Sequence, residues 1–121
     1  MVPKKMHSPQ EVEVHFILPA LRRAMTKAFK ARGKSQKEIA QLLNVTEPAV
    51  SQYVSAKRAK HVEFNRKVKK AVSEMAEEAV DRYDVMGKTQ SLLKVVRDEG
   101  ITCTVCRSVT GAPANCNICF G

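Results

Sequence analysis

The chain has 121 residues, 44% of them apolar, no Trp, and a formal net charge of +9 with a pI near 9.7. That length suits one compact domain with a small appendage, built on a core of Leu, Val, Ile, Met and Ala. No apolar run approaches a membrane span and no signal sequence precedes the first amphipathic stretch, so a cytoplasmic protein with no membrane contact is expected.

The charge is unevenly placed. Residues 1–70 carry 16 Lys/Arg against 5 Asp/Glu, a net +11, and residues 71–121 carry 5 against 7, a net −2. A strongly basic half is the electrostatic footprint of a polyanion partner. A solvated basic surface, as on a ribosome-associated protein, is the plainer alternative.

Residues 1–7 include Lys4 and Lys5, lack periodicity and read as a basic tail. Ser8, Pro9 and Glu11 form a capping-box pattern with Pro at the first helical position, so a helix should begin there. Val12, Phe16, Ala20 and Leu21 then share a face, followed by Met25, Ala28 and Phe29. Pro19 interrupts this pattern, either as a kink in one long helix or as the start of a second. Gly33 should stop the run after Lys30 and Arg32.

Residues 36–55, QKEIAQLLNVTEPAVSQYVS, read as a helix, a tight turn and a second helix. Ile39, Ala40 and Leu43 share one face of the first, and Val50, Tyr53 and Val54 one face of the second. Asn44 sits where the turn needs a left-handed residue. Val45 fills the space between the helices. Thr46 is an N-cap, Glu47 lies in the first turn, and Pro48 stands where its missing N–H costs nothing.

This pattern resembles the helix-turn-helix of the Cro/CI repressor type, over the full twenty residues. Asn44 is a departure, because that family usually has Gly there. The resemblance implies an all-α, repressor-like bundle whose second helix enters the major groove of DNA. Thr46, Glu47, Ser51, Gln52 and Ser55 remain outward and are candidate base-reading residues. Gln36, Lys57 and Arg58 are candidate phosphate anchors. An ordinary helical hairpin inside a globule is the competing reading. The stretch LPALRRAMTKAF followed by RGKSQKEIAQLLNVTEPAVSQYVSAKRAK also resembles short archaeal transcriptional regulators with C-terminal cysteines. That second resemblance implies transcriptional regulation.

From 61 to about 84 one long amphipathic helix is expected, with Phe64, Val68, Val72, Met75, Ala79 and Tyr83 recurring every three or four residues. Arg66, Lys67, Lys69 and Lys70 occupy its first half, where they oppose the helix dipole. They suit either a surface facing phosphates or a solvated face. Gly87 should end this helix, Thr89 should cap a shorter one over 90–99, and Gly100 should stop that.

All four cysteines lie near the C-terminus, as Cys103-x2-Cys106 and Cys116-x2-Cys119. Two such pairs separated by nine residues predict a metal-binding loop, since each pair wraps one side of an ion. Four thiolates favour Zn²⁺ or an iron–sulfur centre. Zinc is the primary reading and an iron–sulfur redox sensor the alternative. The expected organisation is a helix-turn-helix domain over 1–60, a helical dimerisation and support region over 61–100, and a four-cysteine metal module over 101–121. The expected function is sequence-specific binding of double-stranded DNA by a homodimeric transcriptional regulator. A basic RNA-associated protein and a thiol enzyme are the other classes. No general acid or base accompanies the cysteines, which argues against an enzyme.

Overall fold

The computed structural model describes residues 9–55 and 62–110. Every regular element among them is helical: α1 (Pro9–Val12), a π-helical turn (Glu13–Ile17), α2 (Leu18–Ala31), α3 (Gln36–Leu43), α4 (Glu47–Val54), α5 (Arg66–Glu78), α6 (Arg82–Asp98) and α7 (Ile101–Thr110). The expected all-α class holds. No helix among the described residues is long and apolar enough to cross a membrane.

Pro19 does not break the first helical run. The irregularity lies one turn upstream, where the Leu18 N–H donates to the Glu13 carbonyl five residues back. A proline ring crowds the carbonyl four residues before it and offers no N–H in return. The wider turn ahead of Pro19 relieves that conflict without ending the helix. It also moves the apolar stripe on by one residue. Val12 and Ile17, five apart, are both fully buried, and Phe16 is only half-buried. Leu21, Met25 and Phe29 then follow at ordinary four-residue spacing, all essentially inaccessible.

α2 is the hub. It packs on α3, α4, α5 and α6. Its end is a Schellman motif: Lys34 N–H reaches Phe29 O at 3.2 Å and Gly33 N–H reaches Lys30 O at 3.0 Å. Gly33 takes φ 85°, which a side chain would resist. Arg32 then reaches across to α5, donating to Ser73 O at 3.2 Å and pairing with Glu77 at 3.5 Å.

The expected single helix over 61–84 is instead two elements. α5 ends at Glu78, with Ala79 extended at ψ 129°. A new start follows at once: Asp81 Oδ1 accepts from Asp84 N–H at 2.8 Å, and Asp84 Oδ2 accepts from Val80 N–H at 3.1 Å. This reciprocal cap begins α6 well before Thr89. Gly87 lies inside α6, a cost of about 1 kcal/mol that the packing of Val85, Leu92, Leu93 and Val96 outweighs. Thr89 is not a cap, and its hydroxyl donates to Val85 O at 2.6 Å.

Gly100, at φ 77°, turns the chain from α6 into α7. The expected metal-binding loop is therefore helical over its first ten residues. α7 packs on α1, the π-helical turn and α6, and buries Thr102, Cys103 and Val105 in the common core. A partly buried ion pair locks the same corner, with Arg97 Nη2 2.6 Å and Nε 3.2 Å from Glu13 Oε1.

Candidate nucleic-acid interface

α3 and α4 are joined by three residues, 44–46, and pack on each other and on α2. The turn is set by Asn44, at φ 55° and ψ 47°. There its N–H reaches Gln41 O at 3.3 Å, and Val45 N–H reaches Ala40 O at 3.0 Å. Asn supports the left-handed conformation that glycine would otherwise supply. Val45 is half-buried against the core.

Each helix start is capped. Thr46 Oγ1 accepts from Ala49 N–H at 3.2 Å, as the sequence leads one to expect. At α3 a full capping box forms: Ser35 Oγ accepts from Glu38 N–H at 3.1 Å, and Glu38 Oε1 accepts from Ser35 N–H at 3.3 Å. The backbone N–H of Ser35, and then its hydroxyl, hold the Glu38 carboxyl below its ordinary range. The sequence carries this box as Ser-x-x-Glu over residues 35–38.

Ile39, Ala40, Leu43, Val50 and Tyr53 are buried as their spacing predicts. Val54 is not; it is 36% exposed. At about 100° per residue, Val50 and Tyr53 centre the buried stripe of α4, and Val54 falls roughly 70° off that centre.

The outward residues of α4 form a polar strip. Glu47, Ser51 and Ser55 follow one another at i, i+4 and i+8, with Gln52 beside them, and all four are exposed, as is Thr46. Gln52 offers an amide, Glu47 an acceptor, and Ser51 and Thr46 hydroxyls whose hydrogens point away from the bonds they accept. The Ser55 hydroxyl donates to Gln52 O at 3.1 Å and keeps only acceptor capacity.

Gln36 is placed differently from a solvent-facing anchor. Its Nε2 donates to Glu47 O at 2.9 Å and to Ser51 Oγ at 2.6 Å. Both amide hydrogens are thereby used to hold α4 against the start of α3. Lys57 and Arg58 lie outside the described residues, and so do Cys116 and Cys119. Cys103 and Cys106 sit one turn apart on α7, the first buried and the second half-buried. Two thiols at that spacing share a helix face, which suits two ligands of one metal.

The basic start of α5 has a partner that the sequence reading lacked. Asn65 caps the helix, its Nδ2 donates to Glu99 Oε1 at 2.9 Å, and Lys67 pairs with Glu99 at 3.4 Å. A carboxylate from the end of α6 thus sits at the positive end of α5 and offsets the clash with the helix dipole. Lys70 pairs with Glu74 at 4.0 Å.

Comparison with known families, with curated proteins and with solved structures gives no match.

Proposed function

We propose that the protein is a sequence-specific DNA-binding transcriptional regulator of the helix-turn-helix type, with α4 as its recognition helix. The observation that carries this is the polar strip of Glu47, Ser51, Gln52 and Ser55 on a short helix, which a capped, left-handed turn at Asn44 sets against α3. The strip matches the groups that read base edges: amide to adenine, carboxylate to cytosine N4, hydroxyls to either. The excess of Lys and Arg in residues 1–70 supplies the phosphate term. Lys57 and Arg58 anchor the backbone after α4, and Thr46 donates to a base or phosphate at its start. Gln36 acts mainly by positioning α4.

A homodimer is part of the proposal, because one short helix reads few base pairs. Val80, Tyr83 and Met86 support it. They are 81%, 70% and 58% exposed around the start of α6. Cys103, Cys106, Cys116 and Cys119 are proposed to hold Zn²⁺ in a structural role. The burial of Cys103 beside Val105 favours an iron–sulfur centre as the second reading, since such a centre benefits from a shielded, apolar surround.

The test is selection of bound duplexes from a random pool, followed by binding of the selected sequence. Gln52→Ala should weaken selected-site binding by about 1–3 kcal/mol and leave random-sequence binding nearly unchanged. A pool that yields no enriched sequence, or equal affinity for structured RNA, would overturn the reading.

A further inference from the structure

We propose that the groove between α2 and α5 is a second phosphate-binding site for the same duplex; this rests on the DNA-binding reading above. The groove encloses about 420 Å³. Arg23 and Lys27 line it from successive turns of α2, and Lys69 faces them from α5. Ala20 and Ala24 are the α2 residues beside them, and small side chains there keep the floor open. Val62 and Phe64 close the third side, on the strand of chain that returns from α4.

What marks these three cations is that one groove gathers them. Some basic side chains of the described residues meet carboxylates, as Arg32 meets Glu77 and Arg97 meets Glu13, and others, such as Arg22, Lys30 and Arg66, do not. Among the described residues Arg23, Lys27 and Lys69 form no ion pair. Arg23 is half-buried. Its Nε is buried and has no hydrogen-bond partner among the described residues. One buried guanidinium donor left unpaired is costly unless an acceptor arrives. A phosphodiester supplies one, and the two lysines add point charges around it. Glu63 also lines the groove, and its carboxylate opposes any anion there.

The location suits a duplex. α2 is the helix on which α4 packs, so cations on its α5 side are rigidly tied to the recognition helix. A phosphate row running beside the DNA groove that takes α4 would meet cations carried on two packed helices. Charges on rigid helices fix register as well as affinity.

The experiment measures duplex affinity against salt for the full chain, for Lys27→Gln, Lys69→Gln and Glu63→Gln, and for Arg23→Gln. Lys27, Lys69 and Glu63 are exposed, so their substitutions leave the fold intact, which circular dichroism checks. Each lysine variant should make the slope of log affinity on log salt less negative by about 0.9, equivalent to roughly a 3.5-fold smaller loss over a fourfold rise in salt. The loss should be the same on selected and random duplexes. Glu63→Gln should act in the opposite sense and tighten binding roughly two- to threefold at low salt. Slopes unchanged in both lysine variants, while the wild type binds duplex, would overturn the groove and leave the recognition helix standing. A wild type that binds no duplex would overturn both.

Discussion

Gln36→Met tests what holds α4 in place. The substitution keeps side-chain length and removes the amide. Two bonds are lost, to Glu47 O at 2.9 Å and to Ser51 Oγ at 2.6 Å. A neutral hydrogen bond contributes about 0.5–1.5 kcal/mol net. Both bonds are solvent-exposed, so water replaces them in part, and the sum should lie near 1–2 kcal/mol. For a chain of this size that is a fall in Tm of roughly 3–10 °C. Urea unfolding of the free protein gives the number, and a double-mutant cycle with Ser51→Ala isolates the shared bond, with an expected coupling of about 0.5–1 kcal/mol. A side chain that merely anchors a phosphate would leave the free protein's stability unchanged. Unaltered stability together with zero coupling to Ser51 would therefore refute the positioning role and return Gln36 to the phosphate-anchoring role read from its place in sequence.

Asn44→Ala should lose about 1 kcal/mol, because alanine resists φ 55°, and Asn44→Gly should match or exceed the wild type in the same unfolding assay. Arg97→Met should cost about 2–3 kcal/mol by leaving the Glu13 carboxylate, 12% exposed, without its guanidinium; adding Glu13→Gln should recover part of it, and a strictly additive double variant would deny the pair. The lowered Glu38 carboxyl contributes stability above the ordinary value of 4.5, and that contribution fades as pH falls through the depressed value; hydrogen exchange at α3 amides should show the fade in wild type and not in Glu38→Gln. Metal analysis should find one centre per chain in the wild type and none after Cys103→Ser or Cys106→Ser, and a broad band near 400 nm in protein kept from oxygen would assign iron–sulfur over zinc.

The periodic and capped stretches were readable from residues alone. Ile39, Ala40, Leu43, Val50 and Tyr53 are buried where a 3.6-residue period puts them. Asn44 turns the chain because few other side chains accept that conformation, and Gly33 and Gly100 end helices for the same reason. These outcomes depend on neighbours within about four residues, which any reading of the chain can see.

Tertiary packing decided the rest. Nothing in the order of residues around Pro19 chooses between a kink, a break and a widened turn; burial of Ile17 instead of Phe16 makes the choice. The division at residues 79–81 was written as Asp-x-x-Asp, yet an apolar period running on to Tyr83 concealed it. Cys103 belongs to a helix because α1 and α6 offer α7 a surface to cover, a condition that no cysteine spacing expresses. Likewise Gln36 looks like an outward polar residue until α4 is folded against it. Glu99 and Asn65 stand 34 positions apart, and only the fold brings that carboxylate to the start of α5. Hydrogen-bond reach is a few ångströms in space, and the sequence orders residues only along the chain.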